Sequence, residues 1–288
     1  MFMGQYLNPA TVGTEGVARF QLINRQQWRT YNGTFDDGGA PATSAFSFNM
    51  PLYAIKGGIG LHIVNDVIGP LTNQEVQLSL NYQLKFNDDA TLSLGARGGL
   101  FNKTLDGSRL RPRDAGDPLI PTGQVKQGNT DFAIGAYYYT SAFYVGLSAS
   151  HLNVAKYDFG LVGASNPQKL HTYLTAGLHY YLNDNFELTP SVLVKSDLAQ
   201  TSIDANILTT YQSKFWFGGG YRIAEGPIGM AGINLGKNSE YRAGIALDIV
   251  TNGTSAKAPY SVEFLLGYAL PAPRPSKKSP VRTPRFRY

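Results

Sequence analysis

The fold predicted for this sequence is all-β: a transmembrane, antiparallel, up-and-down β-barrel of the outer membrane with about 14 strands. Three observations predict it. Charged residues make up only 16% of the 288, against ~25% in an average soluble domain, while glycine (32) and tyrosine (18) are abundant. No stretch approaches the ~18 consecutive apolar residues of a membrane-spanning helix, so any crossing of a membrane must be made by strands. Finally, apolar and polar residues alternate along segment after segment, and the links between these segments fall into a short set and a longer one.

The elements follow in order. The first strands are expected at 17–24, 44–50 and 58–66. Val76, Leu78, Leu80, Tyr82 and Leu84 alternate with Gln77, Ser79, Asn81, Gln83 and Lys85, which places an apolar stripe on one face of a strand over 73–86. Leu92, Leu94, Ala96 and Leu100 repeat the pattern over 90–102, and Asn87-Asp88-Asp89 between them reads as a tight turn. Further strands are placed at 131–140, 143–152, 170–182, 186–196, 201–210, 214–223, 228–236, 240–249 and 260–270. In the later ones Phe186, Leu188, Val192 and Val194 oppose Glu187, Thr189, Ser191 and Lys195, and Val262, Phe264, Leu266 and Tyr268 oppose Ser261 and Glu263. If strand 1 runs outward, the periplasmic links 51–57, 87–89, 141–142, 183–185, 211–213 and 237–239 are all short, whereas the outer set holds the three longest, 25–43, 103–130 and 153–169. Both termini then lie in the periplasm.

A soluble sandwich or a lipocalin-like barrel alternates too. Strand length separates them: segments of 10 to 14 residues ending in Tyr137-Tyr138-Tyr139, Tyr180-Tyr181 or Phe215-Trp216-Phe217 match the ~9–11 tilted residues and aromatic girdles of a membrane barrel. The chain divides into an N-terminal periplasmic segment (1–16), the barrel (17–270) and a tail (271–288). That tail holds Arg274, Lys277, Lys278, Arg282, Arg285 and Arg287 with five prolines and no acid, leaving 19 basic and 20 acidic groups before it. The positive excess is therefore a tail, extended by its prolines, with Phe286 and Tyr288 as apolar anchors for a periplasmic partner; nucleic acid is not an expected partner. Within 103–130, Arg109, Arg111 and Arg113 are candidates for docking a surface partner. Met1 to Gly13 shows no basic segment followed by an apolar core, and the chain reads as a mature or trimmed form.

Chemistry is nearly absent. With no cysteine, thiolate metal sites, disulfides and cysteine nucleophiles are excluded. His62, His151, His171 and His179 lack metal-ligand spacing and read as lumen-facing polar residues. Gly146-Leu147-Ser148-Ala149-Ser150 lacks the second glycine of a nucleophile elbow, and Ser150 and His151 should point to opposite faces of a strand. Gly232-Ile233-Asn234-Leu235-Gly236-Lys237 has the wrong spacing for a phosphate loop. No enzyme activity, cofactor or metal is expected.

Several segments along the chain carry a resemblance. Met1-Phe2-Met3-Gly4-Gln5-Tyr6-Leu7-Asn8-Pro9-Ala10-Thr11-Val12-Gly13, followed by Arg25-Gln26-Gln27-Trp28, resembles the N-terminal signature of the PorP/SprF family. Leu188-Thr189-Pro190-Ser191-Val192-Leu193-Val194-Lys195, Trp216-Phe217-Gly218 and Tyr221-Arg222 are similar to its later elements. Asn8, Pro9, Ala10, Gly13, Arg25, Trp28, Pro190, Ser191 and Lys195 are the signature positions. The resemblance implies an outer-membrane protein of the type IX secretion and gliding machinery of Bacteroidetes. Such a protein is surrounded by outer-membrane lipid and associates with a periplasmic ring lipoprotein and its partner, or with a secreted adhesin bearing a C-terminal sorting domain. It acts by binding and anchorage, with a lumen filled by side chains such as Lys85, Arg97, Glu187, Lys195 and Arg242. The alternative is a small-solute porin or transporter, which would give steady conductance steps where a filled barrel gives none.

Overall fold

The computed structural model describes residues 2–29, 31, 39–110, 120–121, 123–160, 165–223, 225–251 and 259–271. Its strands are β1 (Val17–Gln26), β2 (Ala42–Leu52), β3 (Gly57–Ile68), β4 (Leu71–Lys85), β5 (Thr91–Asp106), β6 (Gln124–Tyr139) and β7 (Phe143–Ser150). Two short pieces, β8 (Lys156–Tyr157) and β9 (Asn166–Pro167), pair with each other in the loop that follows. Then come β10 (His171–Leu178), β11 (Tyr180–Asn183), β12 (Phe186–Ser196), β13 (Thr201–Tyr211), β14 (Phe215–Arg222), β15 (Gly226–Leu235), β16 (Tyr241–Ile249) and β17 (Tyr260–Pro271). Each barrel strand pairs antiparallel with its neighbours in the chain, and β1 pairs with β17, Val17 opposite Pro271 and Gln26 opposite Val262, so the sheet closes on itself. Closure is what a hydrocarbon surround requires, since water cannot satisfy an exposed edge there.

β10 and β11 act as one strand against β12. Gly177 faces Ser191 and Tyr180 faces Leu188, one unbroken register interrupted only around His179. Pro190 explains the interruption: it has no N–H to give the ladder, and it lies on β12 between the two paired stretches. Counted so, the barrel has the 14 strands expected.

The wall is apolar outside and polar inside. On β4, Val76, Leu78, Leu80 and Tyr82 are exposed, while Glu75, Gln77, Ser79 and Asn81 between them are buried. Leu147, Ile207, Ile245 and Leu266 continue the outer face; Ser93, Arg97, Asp131, Asp204 and Asp248 continue the inner one. Such a surface suits a lipid surround and a polar lumen. Two strands run further than expected: β5 extends to Asp106 and β6 begins at Gln124, so the link placed at 103–130 shrinks to 107–123. Lys85, expected in the lumen, is exposed at the end of β4.

Candidate functional site

Residues 2–16, set apart from the barrel in the sequence reading as a periplasmic segment, are packed inside it. The chain rises from the short-link end of β1, forms a 3-10 turn at Pro9–Thr11 and a single α-turn at Gly4–Leu7, and lies against the inner faces of β2 to β7. Asn8, Pro9, Ala10 and Val12 are buried. This plug has little apolar core of its own: Met3 packs with Ala45 and Val64, and Tyr6 and Ile23 pack against them.

Its hold on the wall is made of side chains bonded to backbone. Asn81 Nδ2 on β4 donates to the carbonyls of Ala10 and Val12, each at 2.7 Å, and Ser93 Oγ on β5 donates to Ala10 O at 2.6 Å. Arg97 Nη1 donates to Tyr6 O at 2.7 Å and its Nη2 to Ser150 Oγ at 3.0 Å. Ser148 Oγ on β7 donates to Leu7 O at 2.7 Å. In the other direction, Gln5 Nε2 donates to Leu61 O at 2.8 Å and Asn8 Nδ2 to Ala136 O at 2.9 Å. Asn8 also accepts from Ala10 N at 2.9 Å, which starts the 3-10 turn with Pro9 as its first residue. These bonds tie a polar plug to a polar wall, each contributing a net ~0.5–1.5 kcal/mol.

Glycines make the room. A Cβ on Gly95 would stand 2.4 Å from Ala10 N, and one on Gly135 2.1 Å from Asn8 Oδ1. Gly13 has φ +68°, and a Cβ there would also meet Met50 O at 2.7 Å, so only glycine fits the turn from plug to strand. Asn8, Pro9, Ala10 and Gly13, four of the signature positions, therefore form one unit: the plug.

The other half of the wall carries an ion-pair belt. Arg25 at the end of β1 pairs with Asp248 on β16, and with Glu263 on β17 at 3.3 Å. Arg222 on β14 reaches Asp248 at 3.3 Å, Asp204 on β13 at 3.1 Å and Glu225 at 2.7 Å. Lys195 on β12 closes the series on Asp204 at 3.0 Å. Two more signature positions, Arg25 and Lys195, thus stand in one network at the long-link end, where sequence spacing alone does not unite them. Trp28 follows β1 with φ +48°, and its N–H donates to Ser261 Oγ on β17 at 3.2 Å. Pro190 faces outward onto an open apolar groove with Ala176, Ala205, Ile207 and Tyr221, and Ser191 faces the lumen.

Between the plug and β10–β17 a cavity of about 520 Å³ remains. Tyr137, Tyr144 and His179 line it toward the short-link end, and Arg25, Asp204, Arg222 and Asp248 toward the long-link end. Phe2 reaches across it, its ring 4.8 Å from that of Trp216 and beneath the guanidinium of Arg242. A second cavity of about 470 Å³ lies between Tyr6 of the plug and residues 166–169 of the long loop. There the sequence reading needs correction: β7 ends at Ser150, and the left-handed backbone of His151 (φ +62°) turns its ring inward, so Nδ1 meets Asp131 at 2.8 Å rather than facing away from Ser150. Tyr157, from the loop, is fully buried and donates to Phe101 O at 3.1 Å. No cluster of metal-ligand type is found among the described residues.

Of the docking candidates, Arg109 ends a 3-10 turn and its Nη1 donates to Gly69 O at 2.8 Å, tying the link after β5 to that between β3 and β4. Arg111, Arg113, Arg274, Lys277, Lys278, Arg282, Arg285, Phe286, Arg287 and Tyr288 lie outside the described residues.

The profile of the family described as "Type IX secretion system membrane protein PorP/SprF" matches residues 1–268. The chain belongs to the PorP/SprF family. Plug and belt are therefore features of a PorP/SprF barrel, a membrane protein of type IX secretion. Among solved structures it is similar to the toluene transporter TbuX of Ralstonia pickettii (TM-score 0.54, 16% identity, 92% of each chain covered). The toluene transporter TodX of Pseudomonas putida is similar too (TM-score 0.54, 11% identity, 94% of this chain and 93% of that one). At such identities the likeness concerns the outer-membrane barrel fold alone. No curated protein matches significantly.

Proposed function

We propose that this PorP/SprF barrel is a non-enzymatic anchor, which holds or assists a secreted surface protein at the outer face while contacting periplasmic ring components below. The observation that carries this reading is the plugged lumen. With residues 2–16 bonded to β2–β7, about 520 Å³ is left beside them, far too little for a folded protein to pass. A contribution to secretion must then come from the ends and loops of the barrel, not from its bore. The long-link end would present the link after β5, with Arg109, Arg111 and Arg113, to the secreted partner, an adhesin with a C-terminal sorting domain. The opposite end would present residues 271–288 to the ring lipoprotein and its partner.

The test is recovery of partners from the native membrane. Purification of the full chain should co-elute a secreted surface protein and a periplasmic lipoprotein. Shortening the 107–123 link should release the first and keep the second; ending the chain after Leu270 should do the reverse. Both variants should remain heat-modifiable on gels. Unchanged recovery of both partners from both variants would sink the proposal.

A further inference from the structure

We propose that the barrel has a second activity, independent of anchoring: it is a narrow ion-conducting pore whose path runs beside residues 2–16. Among the described residues the plug's hydrogen bonds to the wall fall on β1–β7 and the link between β2 and β3, and the lumen along β10–β17 stays unfilled. Residues from both ends of the barrel line the same cavity, Tyr144 and His179 near the short links, Arg222 and Asp248 near the long ones. Its volume of about 520 Å³ is far above the ~15 Å³ that one water needs by the same measure, and its lining of hydroxyls, amides and charges offers water the partners it requires. A hydrated path is the physical consequence.

The chemistry of the passenger follows from the lining. Asp204, Asp248 and Glu263 face Arg25 and Arg222 at one end, while Glu15 and Arg242 stand at the other. Charges of both signs nearly balance, so small hydrated ions pass with weak preference along a lining that also carries Phe2, Leu7, Ile228 and Met230. The belt lies along the wall from β1 through β17, β16, β14 and β13 to β12, never reaching further than the second strand along, and so frames the path instead of crossing it. Among the described residues Phe2 of the plug bridges to the far wall, against Trp216, and it sets the constriction. Small conductance steps thus accompany anchorage and do not argue against it.

The experiment uses the purified full chain in planar lipid bilayers with potassium chloride as the probe. Steady small steps are expected. Ala246→Trp together with Thr189→Trp, both lining the cavity and outside plug and belt, should at least halve them; Phe2→Ala should enlarge them. Because the chain has no cysteine, single Ala246→Cys or Thr189→Cys variants also report directly. A small cationic methanethiosulfonate should modify each from the aqueous phase in the folded barrel. A silent full chain overturns the proposal, as do steps unaffected by the two tryptophans, which would place the current outside this cavity. Should the tryptophan pair fail to fold, the cysteine variants decide: no modification means no hydrated path.

Discussion

Gly95→Ala should displace the plug while leaving the barrel closed. The new Cβ would lie 2.4 Å from Ala10 N and 2.6 Å from both Ala10 Cα and Pro9 C. These are backbone atoms, so no side chain can swing away; the 3-10 turn itself must retreat by about 1 Å to restore ordinary contact. Ala10 O is where Asn81 and Ser93 converge, at 2.7 and 2.6 Å, and a retreat of that size breaks both bonds. Overpacking costs about 1–3 kcal/mol, and stranding a buried acceptor adds about 1–3, so plug docking should weaken by about 2–6 kcal/mol. Gly229→Ala is the control, since a Cβ there meets nothing within 4 Å. The assay is protease protection of residues 2–16 in the folded, detergent-solubilised barrel, with heat-modifiability reporting closure. Gly95→Ala should expose the segment; Gly229→Ala should not. Equal protection in the two variants would refute the packing argument.

Three further outcomes are expected. Arg25→Met leaves Asp248 and Glu263 short of a cation on a mostly buried wall, which should lower the urea midpoint by about 2–4 kcal/mol of stability, whereas Lys169→Met, breaking the exposed pair with Asp197, should cost less than about 1. For orientation, single cysteines at Gly123 should react with an impermeant maleimide on intact cells and those at Asp88 or Asp184 should not; reversed labelling would invert the barrel. At the turn after β12, Asp197 accepts from Lys169 Nζ at 2.6 Å and from the amide of Gln200 at 2.7 Å, and these bonds hold its pKa below the usual carboxylate range. A depressed folded pKa means stability that is present above the unfolded value and lost as pH falls toward the folded one. The acid limb of the urea midpoint should therefore be shallower in Asp197→Asn than in the parent chain.

The barrel was legible in the sequence because a lipid surround and a polar lumen write themselves as a period of two. Where that pressure ends, so does the signal. Asn102, Lys103, Thr104 and Lys126 to Thr130 carry no apolar side chain on either face, and for that reason β5 and β6 reached past their expected ends. The break at His179 was hidden for another reason: the residue that causes it, Pro190, stands on the neighbouring strand. Nothing periodic marks residues 2–16, which are too short for a helical or strand pattern, and their partners Asn81, Ser93 and Arg97 read simply as lumen-facing polar residues. One signal was available. Gly58, Gly60, Gly95 and Gly135 all fall on inward positions, and a glycine on the polar face of several neighbouring strands marks something packed against them.

The signature positions gain a common physical meaning once placed. Asn8, Pro9, Ala10 and Gly13 build the plug that joins β2 to β7 from inside; Arg25 and Lys195 sit at the two ends of the belt that joins β1 to β12 through the closure of the sheet. A 14-stranded barrel with a bare lumen would have only its ladders to keep the inner wall in shape. Here one half is cross-linked by side-chain-to-backbone bonds and the other by charge pairs, and the two systems barely overlap. A plug on both halves would erase the cavity; a belt on both would leave the bore open. The division of the wall between them yields a barrel that is stiff and closed to proteins, with its loops and ends free to bind.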